Sequence, residues 1–573
     1  MSINRPSELT NYRWQIAPPV PPSLIQELGH FNPILLQVLY NRGLSKPADI
    51  QAFLEGRYLA KDDPFLLADM DKAVARIQHA VEQGQNVIVY GDFDADGVTA
   101  TVLLVEALRG LGLSREQAQP YIPGRVDEGY GLNFDALSKL KGRGADLVIS
   151  VDCGIRSVAE VAHARDIGLD MIVTDHHSLG RELPPAGAVI NPKRPDSAYP
   201  ETMLAGVGIA YKLAQALCQA MPQRVQFDPS QLLDLVAIGT VADIAPLLGE
   251  NRKLVIEGLK VLNGATRPGI AALAQISGLT PGSMTAESIG FRLGPRINAA
   301  GRLAHAYSAA RLLIADNAPT AERLAHELNQ LNQQRQALTA ELCDMAEGLI
   351  QPDANILIAA DTGFVSGVVG LVAGRLAEKY YRPAVVIETG SEESRGSCRS
   401  ITEFHITEAL DEVAHLLVRH GGHAQAAGFT VRNENLPQFR QALSDIAARE
   451  LSGRELVPTL AIDAELPLRQ VDWALHDLLQ QLEPTGCANA TPVFMARHAQ
   501  VFNHRAVGQD GGHLQLQVGD GQRGFGAIAF RQAAWADQMP GRVDIVYTIN
   551  VNEWRGQRSL QLRVEDLRPS ETT

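Results

Sequence analysis

The sequence predicts an α/β protein: two α/β domains joined by a long helix, with a small β-barrel at the C-terminal end. Three observations predict this. Apolar runs at Val87-Ile88-Val89-Tyr90, Leu147-Val148-Ile149-Ser150 and Met171-Ile172-Val173 alternate with amphipathic stretches such as 98–111, the pattern of parallel strands buried on both faces. Leu324, Leu328, Leu331, Leu338 and Leu342 keep a helical period between Ala318 and Ile350, long enough to span two domains. Beyond Leu456 short alternating strands, Leu514–Val518, Asp544–Tyr547 and Leu560–Leu562, are separated by Gly-rich turns.

Taken in order, residues 1–83 read as a helical region leading into the first sheet, with breaks near Asn41-Arg42-Gly43 and Asp62-Asp63-Pro64. Residues 84–317 carry the βαβ pattern of a catalytic domain, and 318–350 form the connecting helix. Residues 351–455 are a second α/β segment with strands at Ile356–Ile358 and Ala384–Ile387, and 456–573 form the barrel. A chain of 573 residues has room for roughly three or four domains of ordinary size.

The composition, 45% apolar and 20% charged, is that of a globular protein. No apolar run approaches the ~20 residues of a membrane helix. Met-Ser-Ile-Asn-Arg-Pro at the start shows no basic and then apolar leader, so a cytoplasmic protein with no membrane partner is expected, as a monomer. Five scattered cysteines, at 153, 218, 343, 398 and 487, fit reduced thiols rather than a disulfide framework or a thiolate zinc site. The net charge of −14 opposes nonspecific adhesion to nucleic acid, so any such site must be local.

The chemistry concentrates where strands end. Gly91-Asp92-Phe93-Asp94-Ala95-Asp96-Gly97, Val151-Asp152-Cys153-Gly154 and Thr174-Asp175-His176-His177 each follow a strand, and open α/β sheets place their sites at these ends. One such cluster is equally a helix cap. Three in succession are costly to desolvate unless they share protons or hold cations. Asp94 and Asp96 can reach different ions, Asp152 is a candidate bridge, His176 a ligand, and His177 a group that touches substrate. Asp243, in the apolar context Thr240–Ile244, is a further carboxylate, with a plain helix-end role as its alternative. Mixed Asp and His ligation favours two Mn²⁺ or Mg²⁺ ions ~3.5–4 Å apart, the arrangement that hydrolyses phosphodiesters or phosphoanhydrides. No Walker motif is present, which argues against an NTP-driven motor.

The Asp175-His176-His177 triplet resembles the signature of the DHH phosphoesterase superfamily. Gly421-Gly422-His423-Ala424-Gln425-Ala426-Ala427-Gly428 is similar to the Gly-Gly-His motif of the associated DHHA1 domain. Gly294–Arg302 resembles a hallmark of the RecJ family of single-strand-specific 5′→3′ exonucleases, as do 125–131, 331–336 and 552–556. The resemblance runs from about Trp14 to Asp566.

It implies metal ligands at Asp94, Asp96, Asp152, His176 and Asp243, with Asp92 an additional or alternative ligand and His177 near the scissile phosphate. It further implies Arg302 in catalysis, and Arg296 and Asn298 on substrate; bracing of the connecting helix is the alternative for both arginines. Arg125, Ser397 and Arg399 would form a pocket for the DNA 5′ end, and His423 would approach the nucleotide. The barrel would be OB-like, with Trp554, Arg555 and Arg558 on single-stranded DNA and a core position as the alternative for Trp554. Single-strand-binding protein and a helicase are the implied partners, in DNA repair and recombination. Three departures stand out: Tyr90 where many DHH enzymes have His, Val365 where a phosphate-contacting His is usual, and an altered 482–489 segment. Two other readings compete: a DHH/DHHA1 phosphodiesterase for short oligoribonucleotides or cyclic dinucleotides, and a replication scaffold that has lost catalysis.

Overall fold

The computed structural model describes residues 12–125, 128–129, 131–264, 267–508 and 510–570. Val126, Asp127 and Tyr130 of the 125–131 motif, and the start of the chain read for a leader, lie outside the described residues. The chain forms two compact units: Ala60–Leu456, and the residues up to Leu59 together with those from Val457 onward. Among the described residues no helix is long and apolar enough to cross a membrane.

The larger unit begins with a five-stranded parallel sheet in the order Ala118–Tyr121, Val87–Tyr90, Leu147–Val151, Asp170–Thr174, Ala188–Ile190. Its strand residues divide by parity, as the two-residue period requires. Val87 and Val89 enter one core, with helices Ala95–Gly110, Gly206–Ala220 and Leu233–Ala242; Ile88 and Tyr90 enter the other, with helices Phe134–Gly142 and Val158–Asp166. Tyr90 is therefore a core residue, fully buried with its hydroxyl donating to Gly131 O at 3.0 Å, and it takes no place among the metal-binding groups.

The connecting helix is Ala318–Glu347, opened by the Asn317 side chain accepting the Thr320 N–H at 3.0 Å. Leu324 and Leu328 belong to the first core, while Leu342, Cys343 and Ala346 belong to that of the second α/β layer. Burying each leucine is worth about 1.5–3 kcal/mol, so the helix is fixed at both ends.

The second sheet has five strands in the order Leu417–His423, Ala426–Arg432, Glu393–Arg399, Ala384–Glu388, Leu357–Asp361. Only the last two are parallel to each other.

The smaller unit contains a closed five-stranded barrel. Strands Phe494–Val507, His513–Gly519, Gly524–Ala529, Gln557–Pro569 and Arg542–Trp554 pair in that order, and the last pairs back onto the first. Residues 1–83, read as one approach to the catalytic sheet, are divided at Leu59. The strand Arg13–Ile16 pairs in parallel with Thr459–Ile462, and Arg42 donates to Asn489 Oδ1 at 2.7 Å and to the carbonyls of Val38 and Ala490. Buried Asn489 also donates to Leu482 O and Pro484 O at 2.8 and 2.9 Å, so the altered 482–489 segment is a clamped turn of this unit.

Candidate metal centre

The acidic side chains converge because the ends of three neighbouring strands, and the end of one helix, deliver them. Asp94 caps helix Ala95–Gly110, accepting the Gly97 N–H at 3.0 Å. This starts the helix three residues before the apolar periodicity does and turns Asp96 inward. Asp96 is buried and accepts the N–H groups of Gly206 and Val207 at 2.7 and 2.8 Å, at the positive end of the helix Gly206–Ala220. Asp152 has a positive φ of 60°, a conformation Asp tolerates better than most residues. A β-carbon on Gly206 would lie 2.6 Å from the Asp152 Cβ, and one on Gly239 2.8 Å from Asp96 Oδ1, so both glycines are needed for carboxylates to fit. Asp243 is the residue after helix Leu233–Ala242.

Among the described residues, three sets of ligand atoms lie within 4.8 Å of one another: Asp92, Asp94 and Asp152; Asp152, His176 and His177; Asp96, His176 and Asp243. Asp152 and His176 are each shared by two sets, the geometry for a pair of ions with a common ligand. Asp92 Oδ1, Asp152 Oδ1 and His176 Nε2 are buried without a hydrogen-bond partner. His176 Nε2 lies 3.0 Å from Asp152 Oδ1 but without hydrogen-bond alignment, so a cation accommodated between them would satisfy both. The donors are carboxylate oxygens and imidazole nitrogens, which suit Mn²⁺ or Mg²⁺.

The electrostatics agree. Burial, then repulsion from neighbouring carboxylates, pushes Asp92 and Asp152 well above the usual range, Asp96 up to about 7 and Asp243 up to about 9. Burial and the adjacent His177 lower His176 to about 4, leaving it neutral and able to ligate. Asp175 plays a different part. It accepts the N–H groups of Ile155 and His177 at 2.9 and 3.0 Å and meets His177 Nδ1 at 2.7 Å.

Beside the Asp92–Asp94 edge lies a group of arginines. Arg125 stands 4.7 Å over the Phe93 ring, and Arg302 donates to Gly367 O at 3.1 Å. Arg399 donates to Ser397 Oγ and Cys398 O at 3.3 and 2.8 Å. Burial, then the neighbouring Arg125 and Arg335, lowers Arg302 to about 10; burial also lowers Arg125 and Arg399. Among the described residues none of these three guanidiniums is in salt-bridge contact with a carboxylate. Arg296 bonds to Asn329 Oδ1 on the connecting helix at 3.1 Å, a contact that fits the bracing alternative. Asn298 commits its amide oxygen to the Ala95 N–H at 2.7 Å and so holds the acidic loop from behind. Exposed His423 is near enough to His177 to be affected by its charge. Val365 is partly exposed just before the helix Ser366–Tyr380. In the smaller unit Trp554 is 70% exposed at the turn of a long hairpin, not in the core.

Three residues went unread in the sequence. Lys193 Nζ, Asn191 Nδ2 and Arg156 Nε donate to the successive carbonyls of His176, His177 and Ser178 at 2.5, 3.0 and 2.9 Å. Asn191 and Lys193 follow the strand Ala188–Ile190, so the same strand-end rule would have found them.

A parallel sheet with this acidic rim, linked by a helix to a second α/β layer, defines a DHH-type phosphoesterase. Family models agree: "DHH family, N-terminal domain" matches residues 86–240, "DHHA1 domain" 353–449 and "RecJ OB domain" 462–566. The single-stranded-DNA-specific exonuclease RecJ of Bacillus subtilis is 36% identical over 98% of this chain and 71% of its own length. That of Salmonella typhimurium is 36% identical over 94% of this chain and 96% of its own. The crystal structure of Thermus thermophilus RecJ with Mn²⁺ superposes with a TM-score of 0.85 at 31% identity, covering 98% of this chain and 80% of that one; the Mg²⁺ form gives 0.79 at 30%, covering 98% and 79%. The chain belongs to the RecJ family.

Proposed function

We propose that this chain is a two-metal exonuclease that degrades single-stranded DNA from its 5′ end to mononucleotides, in DNA repair and recombination. The observation that carries the reading is the convergence of unpartnered Asp92, Asp152 and His176 atoms, beside arginines that among the described residues make no salt bridge to a carboxylate. Asp94, Asp96, Asp152, His176 and Asp243 would hold the ions, with Asp92 as a further ligand. When bound, Mn²⁺ or Mg²⁺ supplies an activated water and charge stabilisation at the scissile phosphate.

The protein's own groups do the rest. Arg125, Arg399 and Ser397, with Arg302 behind them, take a terminal phosphate; guanidinium forks bind it bidentately, and capping that end sets polarity. His177, oriented by Asp175, faces the scissile phosphate, and His423 approaches the nucleotide from the second α/β layer. We read 84–317 as the catalytic domain, 351–455 as the layer that meets the nucleotide, and 456–573 as the grip on the strand. The barrel distinguishes this reading from enzymes for short oligoribonucleotides or cyclic dinucleotides, which do not need it. A cytoplasmic monomer working with single-strand-binding protein and a helicase completes the proposal.

The test is digestion of 5′-phosphorylated, 3′-labelled single-stranded DNA beside matched RNA, with Mn²⁺ or Mg²⁺ and Asp152→Ala as the blank. Stepwise loss from the 5′ end that vanishes in the variant is expected. Cleavage confined to very short RNA or dinucleotides would reassign the substrate, and no metal-dependent cleavage would leave a scaffold.

A further inference from the structure

The metal centre has two distinct sides. Its carboxylate side, Asp92 and Asp94, adjoins Arg125 above the Phe93 ring. Its histidine side, His176 and His177, adjoins Lys193 and Arg156, which hold the carbonyls of His176 and Ser178 at 2.5 and 2.9 Å. Each of these two cations uses a single donor for that anchor. An ammonium has three donors and a guanidinium five, so two remain on Lys193 and both terminal nitrogens on Arg156. Among the described residues neither is in salt-bridge contact with a carboxylate, although the chain carries a net charge of −14. Arg156 is exposed and Lys193 half-buried, so both are accessible from solvent. Burial, then the charges of His177, Arg156 and Lys193, hold His423 below its ordinary value, which places the four groups near one another, while Asp175 and Asp243 act on Lys193 from the metal side.

We propose that Lys193 and Arg156 form a phosphate subsite on the histidine side of the centre, taking the phosphodiester next after the scissile one toward the 3′ end. The proposal rests on the exonuclease reading. A strand whose terminal phosphate occupies the arginine pocket and whose second phosphate lies at the metals must continue past the histidines. There a fixed guanidinium fork and an ammonium meet its third phosphate, and hold the scissile linkage in register from the far side.

The experiment compares wild type with Arg156→Gln and Lys193→Gln on two 5′-phosphorylated octathymidylates. One is all-phosphate, and the other carries a neutral methylphosphonate at the third phosphate only. Release of the first mononucleotide is followed. On the all-phosphate strand each variant is expected to lose about tenfold or more in kcat/KM, the scale of one charge-assisted hydrogen bond. On the methylphosphonate strand wild type falls to a similar level and the variants lose little more, because the partner is already gone. Equal losses on both strands would mean that the two residues only hold the histidine loop, and would overturn the subsite. No loss on either strand would overturn it as well. A wild type inert on the all-phosphate strand, with metal present, would instead defeat the exonuclease reading itself.

Discussion

His177 Nδ1 lies 2.7 Å from Asp175 Oδ1 and 3.9 Å from Asp152 Oδ1, and the shorter contact fixes the ring at the edge of the metal centre. Asp175 is buried, which alone would raise it, yet the bond and charge of His177 hold it below the usual carboxylate range; an ionised oxygen can only accept, so Nδ1 carries the proton. Burial would lower His177, and Asp175 outweighs that and raises it. The bond thereby sets the tautomer and orientation of the ring.

Asp175→Asn keeps the shape and removes the charge. We expect kcat/KM to fall about 10–100-fold, as is typical when a group that orients a metal-site histidine is lost. The His177 ionisation should move to lower pH, read by ring-proton NMR in the metal-free protein. Reduced activity with an unmoved His177 titration would show that Asp175 acts only through the backbone bonds it makes to Ile155 and His177.

Arg399→Ala should separate terminal recognition from chemistry. Its guanidinium sits beside Ser397 Oγ, lowered by burial and then by the nearby Arg125, and among the described residues it is in salt-bridge contact with no carboxylate. On 5′-phosphorylated strands kcat/KM should drop about ten- to hundredfold, the value of charge-assisted hydrogen bonds to a phosphate. Strands ending in a 5′-hydroxyl should be cut nearly as by wild type. Equal loss on both ends would place Arg399 elsewhere on the DNA path.

Trp554→Ala tests the barrel. The indole is 70% exposed, with the Arg555 guanidinium 5.9 Å from its ring, so truncation should leave the melting temperature within about 1 °C. A stacking platform is worth about 1–3 kcal/mol per base, so affinity for long single strands should fall roughly five- to hundredfold. Binding by fluorescence anisotropy checks it, and an unchanged Kd would remove Trp554 from the interface.

The site was legible because strand ends announce themselves: an apolar run followed by Asp or His is visible along a line of sequence, as at Tyr90-Gly91-Asp92 and Val173-Thr174-Asp175. Strand Glu393–Arg399 was not, since Glu-Ser-Arg-Gly-Ser-Cys-Arg holds almost no apolar residue and is a strand only because its neighbours pair with it on both edges. The pairing of Arg13–Ile16 with Thr459–Ile462 joins segments far apart in sequence and has no local signature. Arg156 was missed for another reason. It addresses a backbone carbonyl, which every residue has, so nothing in the composition marks the partner. Asn298, expected on substrate, has its amide oxygen engaged by the Ala95 N–H, a structural bond that no local signature announces.

The carboxylate cluster makes the stability of the metal-free protein depend on pH in a definite direction. Asp96 is raised to about 7 by burial and then Asp94, and Asp243 to about 9 by burial and then Asp96 and Asp94, whereas an unfolded Asp titrates near 3.9. Between about pH 4 and pH 9 the folded state therefore binds more protons than the unfolded state, so stability falls as pH rises through that window. His176, held near 4 when folded against about 6.5 in the unfolded chain, opposes the trend between those values, so the fall is clearest above about pH 6.5. Bound cations take the place of the protons, and metal affinity itself rises as protons leave. Thermal melts with EDTA and with Mn²⁺, at pH 6 and pH 8.5, should show a metal-dependent gain that is larger at the higher pH by several degrees, roughly 2–4 °C for each kcal/mol. Asp152→Asn should shrink that gain at both values. A gain that is equal at the two pH values, or larger at pH 6, would mean that the carboxylates are already ionised without metal, and that their mutual repulsion is relieved by some other group.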